Sequence, residues 1–248
     1  MKQFLANHLK NVQGWKTKRK LLAFAVDDYG NVRLASLKAR QNLLDCGVKL
    51  KGRFDYFDAL DTREDFEMLY DVLGAVKDKN ERHAIFTTYA LPCNIDFENT
   101  LKNGIYIPEN LDKTYERMAS FFPDSYNGAF ELLKIGIKES FLKPQFHGRE
   151  HLNVQLFNKL IECNDKYLFA NLKNLSLAGL PSHQEFKNIS FSQAFAFNNI
   201  SQTHQHPFIL NDGLEKFVEV YGYNSTTFTP PSQEFFTENY KLWNNWNS

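Results

Sequence analysis

Residues 21–30, LLAFAVDDYG, constrain this chain more than any other stretch. Six consecutive apolar residues without a helical period, closed by a turn signal, read as a buried strand of the parallel type. Asp27 and Asp28 stand where that strand ends, and Tyr29 and Gly30 let the chain turn away. Ligands gather at the carboxyl ends of parallel strands, so the two carboxylates occupy the place where chemistry concentrates. A structural reading competes with this one: either aspartate also suits the cap of a helix beginning near Asn31 or Val32.

Helical and strand patterns alternate from there on. Residues 32–46 carry Leu34, Ala35, Leu37, Leu43 and Leu44 among polar neighbours, with Gly47 as a left-handed stop. Thr62 opens a capping pattern ahead of Phe66, Leu69, Leu73 and Val76, which share one helical face. A second strand is expected at residues 84–88, a long loop at 91–107, helices at 111–122 and 128–141, and a short strand at 143–147 that ends in His147. Asn153 caps a further helix, and residues 167–170 read as a fourth strand. Residues 190–197 fit either a strand or an amphipathic turn. A last helix runs from Asn211 or Asp212 to Gly222, and residues 225–229 form a strand closed by Pro230 and Pro231. Such alternation predicts an α/β fold of parallel βα units in a single domain over residues 1–248.

Charge and cysteine usage narrow the function classes. Lys plus Arg and Asp plus Glu are equal at 29 each, so no overall field draws the chain to nucleic acid or to an anionic membrane. The basic run at residues 16–20, KTKRK, reads as a solvated loop. Three cysteines outside any C-x-x-C spacing exclude a disulfide framework and a cysteine zinc site, and are expected as buried thiols. No run of eighteen apolar residues predicts a membrane span, and the mixed amino terminus does not resemble a signal peptide, which makes the cytoplasm the expected location.

The second chemical feature is His147-Gly148-Arg149-Glu150-His151, again just past an expected strand. Two imidazoles four residues apart lie on one face of a helical turn and can share one metal ion, with a third ligand from elsewhere. Asp28 is a candidate for it, because parallel strands open their carboxyl ends on one side. The same five residues also fit the H-x-x-E-H peptidase pattern with Glu150 as base, although Gly148 and Pro144 disfavour the continuous helix that pattern needs. His204 and His206 sit two apart beside Pro207 and read as a solvated loop in preference to a second metal site.

Taken together, AFAVDDYG and FHGREHLN resemble the first two motifs of the polysaccharide deacetylases of the NodB-homology type, a metal-dependent carbohydrate esterase group. The DDYG form is also similar to the related YdjC-type sugar deacetylases. The resemblance implies an irregular (β/α) barrel of parallel strands, of which about five of seven βα units can be counted here. It implies Asp27 as general base, Asp28, His147 and His151 as ligands of one divalent ion, zinc above all, and a carbohydrate substrate losing acetyl groups. Tyr29, Tyr89, Phe228 and Arg149 are the substrate contacts expected on that view, with Phe54, Tyr56 and Phe57 as further rim aromatics.

Two departures temper the implied activity. Phe228 or Thr229 stands where the family's third motif places an arginine, and no late strand ends in a histidine acid. A deacetylase of weak or no turnover is therefore expected, with a non-catalytic carbohydrate-binding or glycan-biosynthesis accessory protein as the alternative.

Overall fold

A computed structural model describes residues 16–236, together with Leu9, Val12 and Gly14. Strand β1 (Phe24–Tyr29) leads into helices α1 (Leu37–Asp45), α2 (Gly52–Phe57) and α3 (Arg63–Ala75). Strand β2 (Phe86–Ala90) follows, then β3 (Cys93–Ile95), α4 (Phe97–Asn103), β4 (Pro108–Asn110), α5 (Leu111–Phe121) and α6 (Ala129–Lys138). After β5 (Gln145–Phe146) come α7 (Val154–Glu162), α8 (Lys166–Lys173) and α9 (His206–Tyr221). Side chains of Ser36, Asp96, Asn153 and Asp165 cap α1, α4, α7 and α8, and Thr62 with Asp65 forms a reciprocal capping box on α3.

The result is a mixed α/β fold around a small parallel sheet, in the order β1-β2-β5. Its register aligns Tyr29 with Ala90 and Ala90 with Phe146, and a parallel bridge continues the row from Phe146 to Phe228. Backbone bonds Leu91 N to Tyr29 O (3.0 Å), His147 N to Ala90 O (3.1 Å) and Thr229 N to Phe146 O (3.1 Å) fix that row. Asp28 precedes it and His147 follows it, so pairing alone brings both to one end of the sheet. Behind the row, Phe146, Phe157 and Phe217 are fully enclosed, each worth about 1.5–3 kcal/mol of burial. Helix α7 supplies Leu156, Phe157, Leu160 and Ile161 to this core, the face its period predicts.

Several expectations are corrected. Strand β1 is not buried: Phe24 is 40% exposed, and Leu22, ahead of the strand, 80%, because β1 lies at the end of the strand order and pairs only with β2 among the described residues. Residues 167–170 are helical, since Asp165 accepts from the amides of Tyr167 and Leu168 and Leu168 and Leu172 turn inward at helical spacing. Residues 91–107 hold a strand and a helix, started by Asp96 and stopped by Gly104 in the left-handed region. Residues 225–229 form only the bridge at Phe228. Instead of a ladder, the side-chain oxygen of Gln145 accepts from the amides of Thr226 and Thr227 and from three hydroxyls there. The last helix starts at His206, five residues early, with Pro207 in its first turn. Cys93 is buried as expected, whereas Cys46 and Cys163 are exposed. The basic run at 16–20 is exposed coil, and no helix among the described residues is long and apolar enough to cross a membrane.

Candidate metal centre

Strand β1 ends in an irregularity that aims a carboxylate. The register shifts between Val26 and Tyr29, and Asp28 takes a left-handed backbone (φ 65°) with its carbonyl accepting from Asn31 N at 3.1 Å. A non-glycine residue held there costs on the order of 1–3 kcal/mol and clusters at functional sites. The consequence is that Oδ1 of Asp28 lies 3.2 Å from Nε2 of His147 and 3.1 Å from Nε2 of His151.

His147 is almost wholly buried, and its other nitrogen, Nδ1, lies 2.6 Å from the carbonyl oxygen of Thr229. That carbonyl can only accept, so Nδ1 carries a proton, and Nε2 is the nitrogen left to face Asp28, either as a donor or as a metal ligand. Two bare acceptors 3.2 Å apart would repel, so either a proton or a metal cation lies between Nε2 and the carboxylate oxygen. The Nδ1 of His151 is buried without a hydrogen-bond partner among the described residues. Burial opposes ionisation of Asp28, yet the two imidazoles outweigh it and hold the carboxyl well below the ordinary range.

The donor set fits a metal ion. One carboxylate and two imidazoles, each within 4.8 Å of the others, are suited to a first-row divalent cation. Ligand separations near 3.1–3.2 Å match the ~3.3 Å expected of tetrahedral ligands about 2 Å from a common centre. The bond from His147 to Thr229 O is the backbone contact that orients a ligating histidine.

Residues 147–151 are not helical, contrary to the shared helical face expected of the two histidines. Gly148 (φ 123°) breaks the turn, and the pair converges because the chain loops back. Glu150 is 4% exposed and occupied by Arg149 and Tyr106, which removes the base that a peptidase reading requires.

A cavity of about 630 Å³ opens over these groups and is walled by Asp27, Asp28, His147 and His151 together with Arg33, Phe54 and Asp58. Asp27 is exposed within it. Of the expected substrate contacts none lines it. Arg149 is 4% exposed and points to the core; Tyr29 is half-buried; Tyr89 stacks on His147 at 6.2 Å; Phe228 packs against Phe146 at 5.2 Å. Phe54 lines the cavity, but Tyr56 and Phe57 do not. His206 is buried between Phe195 and Phe197, away from the cleft, so the expected solvated loop holds for His204 alone.

Two features escaped the sequence reading. The Thr229 carbonyl orients His147 through backbone, which has no side-chain signature. Asp58 lies in an aperiodic stretch; burial pushes its carboxyl above the ordinary value against the pull of Arg33. No family model matches the chain, and neither does any curated protein or solved structure.

Proposed function

We propose that this chain is a metal-dependent hydrolase of low turnover that removes acetyl groups from an amino-sugar glycan, on an irregular (β/α) barrel of the NodB-homology type. The reading is carried by one observation, the approach of two imidazole nitrogens to a single oxygen of Asp28 at 3.2 and 3.1 Å. Asp28, His147 and His151 would hold the ion, and zinc suits this donor set best. When bound, it supplies a Lewis acid and lowers the pKa of the attacking water.

The remaining steps belong to the chain's own side chains. Asp27, exposed in the cavity beside Asp28, takes the water's proton. Asp58, whose carboxyl burial pushes above the ordinary value against the pull of Arg33, would stand in for the late-strand histidine as donor to the leaving nitrogen. Phe54, 53% exposed at the rim, offers a face for a sugar ring. Asp58 is tied to Arg33 at 3.8 Å and the cavity is wide, so acid catalysis and water exclusion are both weak, which sets the low rate.

Metal content and acetate release on acetylated chitooligosaccharides test the reading together. One ion per chain and turnover below roughly one per second are expected. A second reading, a non-catalytic carbohydrate-binding protein, is favoured by the lack of any imidazole in the described cavity wall beyond the two ligands. Metal binding with no acetate release would select it.

A further inference from the structure

A second cavity, of about 650 Å³, adjoins the one over the metal centre and shares Arg33, Phe54 and Ser192 with it. Its chemistry differs. The first cavity sets Asp27, Asp28 and Asp58 against Arg33 and Arg53, whereas the second presents Arg33, Lys49 and Lys51 against a single carboxylate, Asp55. That carboxylate is already used: Oδ1 accepts from Arg33 at 3.4 Å and Oδ2 from the Lys51 amide at 2.9 Å. Neither lysine ammonium has an ion pair or hydrogen bond among the described residues, which leaves two uncompensated cations on one wall.

Local structure explains their placement. Burial alternates along residues 48–51, with Lys51 in an extended conformation, so Leu50 is 8% exposed while Lys49 and Lys51 are both exposed. Opposite them, Gly179 (φ 60°) approaches so closely that a Cβ there would lie 2.8 Å from the Lys49 carbonyl oxygen, and only glycine permits that wall. The guanidinium of Arg33 lies 5.4 Å over Phe191, and Tyr167 completes an aromatic lining. Cations beside aromatic faces suit a sugar that carries a negative charge.

We propose that this second cavity binds the anionic substituent, a carboxylate or a phosphate, of an acetylated glycan whose acetamido sugar lies at the metal centre. The inference rests on the deacetylase reading for the neighbouring sugar, but its binding energy comes from residues outside the metal site. Phe54, exposed and common to both cavities, spans the two subsites. The long-range field of Lys49 and Lys51 selects the substrate, and added salt screens it.

Calorimetric titration of the full chain at low ionic strength, with three probes, tests this. Diacetylchitobiose is the neutral probe, a hyaluronan tetrasaccharide carries carboxylates, and UDP-N-acetylglucosamine carries phosphates. At least one anionic probe is expected to bind about tenfold tighter than the neutral one and to lose that advantage in added salt. The double variant Lys49→Glu/Lys51→Glu, both side chains being exposed, should fold normally and abolish the preference while leaving the neutral probe unchanged. Asp28→Asn should keep the preference. Whichever anionic probe is preferred names the charged group. Equal binding of all three probes, no binding of any, or a preference that survives the charge reversal would overturn the proposal. Retained preference without acetate release would remove the deacetylase reading and leave this one standing.

Discussion

Residues 147–151 hold polar groups of two kinds, and they face opposite ways. Arg149 and Glu150, each 4% exposed, are saturated from within the protein. Arg149 donates to Glu150 at 2.5 and 3.2 Å and to Asp212 at 2.7 Å, and Tyr106 donates to Glu150 at 2.9 Å. Helix α9 can bring Asp212 that close because its neighbour is Gly213, where a Cβ would lie 2.8 Å from Cβ of Arg149. His147 and His151 are nearly as buried, yet both turn an Nε2 to one carboxylate oxygen and one keeps an orphaned Nδ1. A polar cluster whose donors and acceptors balance is structural, whereas one that converges two imidazoles on a single carboxylate oxygen has a donor set that could hold a cation from outside.

The largest effect should come from breaking the saturated half. Arg149→Met leaves buried acidic partners uncompensated and is expected to lower the unfolding free energy by about 3–5 kcal/mol, read from urea midpoints of the metal-free protein. Arg149→Met/Glu150→Leu should recover much of it, because an apolar pair needs no partner. If His151→Ala proves as destabilising as Arg149→Met, the contrast between the halves is wrong.

Metal affinity probes the other half. Zinc at a hundredfold excess over Kd is expected to raise wild-type stability by about 2.7 kcal/mol. Asp28→Asn should weaken zinc at least about a hundredfold and erase that gain, since an amide is a poor ligand. Asp27→Asn should leave zinc binding intact while acetate release falls. Equal metal loss in both variants would assign the carboxylates to the wrong roles.

The pivot between the halves is Gly148. At φ 123°, and with Cγ and Cδ of Pro231 3.3 Å from where a Cβ would stand, Gly148→Ala is expected to cost about 1–3 kcal/mol. It should also weaken zinc, though less than Asp28→Asn, because turning the pivot displaces His147 and Arg149 together. Loss of stability with zinc affinity untouched would show that the halves are set independently.

Legibility follows the same division. Asp28 and His147 were readable because a strand end in a parallel sheet is a position with a direction. His151 was found by spacing, though the loop that delivers it is not the helix that spacing implies. The side of the chain taken by Arg149 and Glu150 was not readable, since a segment without a period gives no facing. Residues 167–170, YLFA, show the same limit: a four-residue apolar run fits strand or helix, and the Asp165 cap decides it. The exposure of β1 depends on its place in the sheet, a tertiary fact that no local pattern encodes.

The smallest effect sharpens the comparison at a distance. His206, like His151, is buried with an unpartnered Nδ1, but its neighbours are Phe195 and Phe197 and, among the described residues, no carboxylate is paired with it. It should therefore bind no metal and reveal itself only by titration. Burial lowers its pKa to about 4, below the ordinary value of 6.5. The unfolded chain takes up this proton as pH falls through 6.5 and the folded one does not until about 4, so stability from this group is complete above 6.5 and declines below it. Between pH 6.5 and 5.5 the loss is at most about 1.4 kcal/mol. His206→Leu should flatten that part of the stability profile relative to wild type and leave zinc stoichiometry at one, and an unchanged slope would mean that His206 is already charged in the fold.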